Sequence, residues 1–145
     1  MKIIHVLAVL LISLRLSAQK AEIFQKDGAA IRGYDPVAFF MESKPVKGDE
    51  KYSYEWKDAR WLFSSKANLD QFKQSPEKYA PQYGGYCAYG MADGHKAPTE
   101  TDTWTIIDDK LYFNYNRKVK EFWSKDTKGM IEKADKNWPA LKNVE

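Results

Sequence analysis

Residues 52–64 run Tyr-Ser-Tyr-Glu-Trp-Lys-Asp-Ala-Arg-Trp-Leu-Phe-Ser. Tyr52, Tyr54 and Trp56 alternate with Ser53, Glu55 and Lys57. Alternation at period two marks a strand with one face covered and the other wet. Lys57-Asp58-Ala59 turns the chain, and Arg60–Ser64 returns as a second strand with Trp61 and Phe63 on one face. Such a hairpin needs a cover for its aromatic side, and the next residues supply one. Ser65 can cap a helix running to about Gln74 with Leu69 and Phe72 inward, and Ser75-Pro76 starts another helical turn through Tyr79.

The pattern extends in both directions. Upstream, Glu22–Lys26 reads as extended and Asp27-Gly28 as a turn. Asp35-Pro36 starts a short helix over Val37–Met41, because Asp accepts from free backbone N–H groups and Pro loses nothing at the first helical position. Lys44–Glu50 is a polar loop. Downstream, Pro81–Gly94 holds four glycines and reads as irregular. Trp104–Ile107 and Lys110–Asn114 form a second hairpin around Asp108-Asp109, which requires Asp109 to be left-handed or the loop to be longer. Arg117–Ser124 and Thr127–Asn137 are closing helices, the second with Ile131, Ala134 and Trp138 as a buried stripe. The expected fold is a small single α+β domain over residues 19–145, with short antiparallel hairpins packed by several short helices.

Met1–Ala18 has a different character. Lys2, the apolar Ile3–Leu14 and the small pair Ser17-Ala18 have the layout of a cleaved secretory signal peptide, and the apolar run is too short to span a bilayer. The expected location is secreted or periplasmic, and no later run is long enough for membrane insertion. Removing residues 1–18 takes away Lys2 and Arg15 and leaves 21 basic against 20 acidic residues. That balance lacks the basic excess of a nucleic-acid binder. A hydrophobic share of 43% argues against disorder, and a single cysteine excludes an internal disulfide framework.

No nucleophile elbow, zinc-protease helix, phosphate loop or dinucleotide fingerprint occurs, and His95 is the one histidine after the signal. Asp108-Asp109 is a turn before it is a catalytic dyad, and Arg117-Lys118-x-Lys120 is a solvated helix face. The local constellation is Cys87, Met91 and His95, whose thiol, thioether and imidazole suit a soft ion, copper(I) best. On a continuous helix the three share one face, but Gly90 and Gly94 weigh against one. The competing reading has Cys87 and Met91 as core and His95 in solvent. Most of the aromatic excess reads as core, whereas Tyr83, Tyr86 and Tyr89 lie among glycines and can wall a pocket for a small ligand.

The order YDPVAFF, W-x-F-S-S, F-x-x-x-P-x-K-Y-A-P-Q-Y-G-G-Y-C-A-Y-G, W-x-I, D-D-K-L-Y-x-N-Y-N and A-D-x-N-W-P resembles the exported bacterial YHS-domain proteins, over about Gly28–Leu141. The wider family is linked with heavy-metal handling, beside copper-transporting ATPases for example. Its three cysteines fall here on Ala38, Ser64 and Asn68, none of them a good ligand for a soft ion. The resemblance therefore implies the scaffold and leaves Cys87 as the retained reactive position.

Three functions follow as expectations. The first is a non-catalytic module that binds or carries a copper-type ion on Cys87, with Met91 and His95 assisting. The second is a small-ligand or protein-binding module using the Tyr/Gly-rich segment 83–91, without metal. The third is a thiol enzyme, which needs a cation beside Cys87 to lower its pKa; His95 and Lys96 are near in sequence.

Overall fold

The structure is a computed structural model and describes residues 21–144. The segment read as an export signal lies outside the described residues. Among the described residues six helices accompany three antiparallel two-stranded sheets, the small α+β arrangement expected. The hairpins are β1 (Gln25–Lys26) with β2 (Ala29–Ala30), β3 (Asp49–Trp56) with β4 (Ala59–Phe63), and β5 (Glu100–Ile107) with β6 (Lys110–Asn114). Each closes through two residues with positive φ: Asp27-Gly28, Lys57-Asp58 and Asp108-Asp109. That is the handedness whose twist matches the flanking strands. Asp109, at φ 61°, tolerates the left-handed conformation, so the loop needs no extension.

Helix α1 (Pro36–Met41) begins on Asp35, and α2 (Lys66–Gln74) on Ser65, whose hydroxyl accepts from Asn68 N–H. Helix α3 (Pro76–Tyr79) follows at once. The segment expected to be irregular is more ordered than its glycines imply. It holds a tight turn at Gln82–Gly85 and a short helix α4 (Ala88–Ala92). Gly90 sits inside that helix, where a Cβ would make a tight 3.3 Å contact with His95 Nε2 and O. Helix α5 (Arg117–Ser124) ends as expected. Helix α6 (Thr127–Leu141) runs past Asn137 and through Pro139, because Trp138 and Leu141 pack on the core and their burial outweighs the missing N–H.

Strand β6 divides the interior. Its Leu111 and Phe113 enter one core with Val37, Phe39, Trp61, Phe63 and Phe72. Its Tyr112 enters a second with Tyr83, Met91, Trp123 and Ala134. Successive side chains of one strand thus hold the N-terminal and C-terminal parts together. Tyr52, Tyr54 and Trp56 pack half-buried against the first core, as their alternation predicts.

Candidate functional site

Cys87 stands at the start of α4 and is 1% exposed. Its Sγ accepts from Gly90 N–H at 3.4 Å and Tyr115 N–H at 3.3 Å, and its thiol donates to Asn114 Oδ1 at 3.5 Å. Asn114 Oδ1 also accepts from Tyr89 N–H, while the buried Asn114 Nδ2 has no partner among the described residues. Burial pushes the Cys87 thiol up from its ordinary pKa, and the N–H bonds to sulfur only partly oppose this. Lys96, nine residues on in sequence, is 5% exposed and turns elsewhere, donating to Ala21 O and Lys142 O. The surroundings are those of a capping, neutral thiol rather than an activated one.

The three soft-ion candidates go to three different surroundings. Cys87 faces Asn114 and Tyr115. Met91 is fully buried in the second core. His95 is largely exposed, with Nδ1 3.5 Å from Asp93 Oδ2. As placed, Cys87 and Met91 are buried while His95 is exposed, so the three present no common open site for an ion. Among the described residues no three His, Cys, Asp or Glu side chains are grouped to hold a metal.

The positions where the resemblance puts cysteines do converge, around another group. Asp35 is fully buried and its carboxylate accepts from five donors: Val37 N–H, Ala38 N–H, Ser64 N–H, Ser64 Oγ–H and Asn68 Nδ2–H, at 2.8–3.3 Å. Charge-assisted bonds of this kind satisfy a buried carboxylate without a countercharge. The sequence pointed to Asp35 as a helix cap. Its second task, tying α1 to β4 and α2, depends on contacts across the fold.

The tyrosines also separate. Tyr83 is left-handed at φ 56°, and its hydroxyl donates to Asp135. Its ring lines a crevice of about 160 Å³ with Trp56 and Trp138. Tyr89 packs half-buried on the second core. Tyr86 donates to Ala21 O, and burial raises its pKa. Its ring lines an open groove of about 380 Å³ with Ile23, Phe24, Lys96, Ala97 and Pro98. The Phe24 and Tyr86 rings meet 5.5 Å apart between centres, tilted by 50°. The groove was not visible in the sequence, because it forms where residues 21–25 meet 96–98.

The family model described as the YHS domain matches residues 37–83, about a third of the chain. The matched region takes in α1 after its first residue, the β3–β4 hairpin, α2 and α3, and it stops before Cys87, Met91 and His95. Comparison with curated proteins and with solved structures finds no match.

Proposed function

We propose that this chain is an exported, non-catalytic binding module that takes a small apolar ligand in the Tyr86 groove. The observation that carries the reading is the groove itself, about 380 Å³ and lined chiefly by the carbon of Ile23, Phe24, Tyr86, Ala97 and Pro98. Ligand sites have this size and this mostly apolar lining. The YHS domain then serves as scaffold, and the ligand sits beside it. Export rests on the reading of residues 1–18. The thiol-enzyme reading loses support from the burial of Cys87 and the engagement of Lys96. The copper reading loses support from the burial of Met91.

The test is a titration with octan-1-ol, followed through the backbone amide resonances of the labelled protein. Saturable shifts centred on Phe24, Tyr86 and Ala97, weakened in Phe24→Ala, support the reading. An absence of saturation, or shifts centred on another surface, overturns it.

A further inference from the structure

A second cavity adjoins the groove. It measures about 350 Å³ and is lined by Lys26, Arg32, Pro98, Thr99, Glu100, Tyr115 and Asn116. Pro98 lines both cavities, and the consecutive residues Gln25 and Lys26 line one each. The two differ in chemistry. The groove is mostly carbon, and its one cation, Lys96, is already bonded to two carbonyl oxygens. The second cavity is rich in unused donors.

Arg32 is held in place by its neighbours. Its Nε–H donates to Thr99 O at 2.8 Å, and Nη2 meets Glu100 Oε1 at 3.1 Å. Ile31, Arg32 and Gly33 all have positive φ, so the backbone turns tightly here beneath the guanidinium. The pairing offsets the charges of Arg32 and Glu100, the acidic side chain among the described residues of the lining, and leaves Arg32 Nη1 without a partner among the described residues. Lys26 Nζ, the Tyr115 hydroxyl and Asn116 Nδ2 likewise donate to no group among the described residues. Lys26, the open side of the Arg32–Glu100 pair and two neutral donors thus line a space that carries a net charge of +1 among the described residues. A surface of that composition attracts an anion.

We infer that the ligand is an amphipathic anion, a carboxylate with an apolar body, whose body lies in the Tyr86 groove and whose head sits against Lys26 and Arg32. The inference rests on the groove reading above and adds the head site to it. Arg32 offers the planar donor geometry that suits a carboxylate, and Lys26 adds a mobile point charge. Pro98 is the shared edge over which such a molecule would lie.

The experiment compares octanoate with octan-1-ol, two probes with the same chain length and different heads, on the wild type and on Lys26→Gln. Lys26 is exposed and contributes no packing, so the variant is expected to fold. The expected result is octanoate binding at least about tenfold more tightly than the alcohol, the difference a new ionic contact of about 1.4 kcal/mol would make. Octanoate should also shift the amides of Lys26, Arg32, Tyr115 and Asn116. In Lys26→Gln and at high salt, octanoate should fall toward the alcohol while the alcohol itself is unchanged. Equal affinities for the two probes in the wild type overturn the head site and leave the groove standing. Failure of both probes to saturate overturns the groove and the head site together. Acetate binding at Lys26 and Arg32 with no octanol binding also overturns the amphipathic ligand.

Discussion

Asp35 shows how much one side chain can carry. It caps α1 and, with the other oxygen, takes three bonds from Ser64 and Asn68. Asp35→Ala would strand several buried donors at once, so it is expected to cost about 3 kcal/mol or more in urea unfolding, a loss typical of broken buried networks. Ser64→Ala removes one donor and keeps the backbone contact, so about 1 kcal/mol is expected. Cys87 gives the opposite case, a reactive group held inert. Its burial and raised pKa predict alkylation by iodoacetamide at least about a hundredfold slower than that of free cysteine, with access only through local opening. Alkylation at the rate of free cysteine would show an exposed, ionisable thiol.

Hairpins and caps were largely legible in the sequence because their causes are local. Alternating aromatics marked β3, Ser65 and Asp35 marked helix starts, and Asp-rich pairs marked turns. The segment from Pro81 to Gly94 was illegible for the converse reason. Gly84 has φ +62°, and a Cβ there would come within 1.8 Å of Glu22 O, a residue far away in the chain. Glycine at that position reads as a breaker, but its cause is the close approach of the N-terminal segment, whose Phe24 N–H donates to Gly84 O. Gly84→Ala is therefore expected to cost more than about 2 kcal/mol by chemical unfolding and to loosen β1 along with it. Gly28, equally left-handed with open space around it, should lose about 1 kcal/mol as Gly28→Ala. The candidate groove was hidden for the same reason as the role of Gly84. Its walls come from residues 21–25 and 96–98, which no spacing rule connects.

Across the whole molecule, the buried acids set the response to alkali. Tyr83 is raised by desolvation and by its bond to Asp135, Tyr112 is pushed up to about 12 by desolvation and nearby carboxylates, and Cys87 is raised by burial. A folded pKa above the unfolded one means stability is complete below the unfolded value and falls as pH rises toward the folded one. The thermal midpoint should accordingly stay level with respect to these groups up to about pH 9 and decline beyond it, first through Cys87 and then through the tyrosines. Cys87→Ala should remove the earlier part of that decline. Copper(I) is expected to leave the midpoint unchanged. A ligand confined to the folded state, at a hundredfold excess over its dissociation constant, would add about 2.7 kcal/mol, so a rise that vanishes in Cys87→Ala would restore the metal reading. Lys96, finally, donates at once to Ala21 O and Lys142 O, so the beginning and the end of the described chain are held within a few ångströms of each other. A short linker could join them, and new termini opened in the exposed stretch at Ser43–Lys44 should yield a circular permutant with the same two cores.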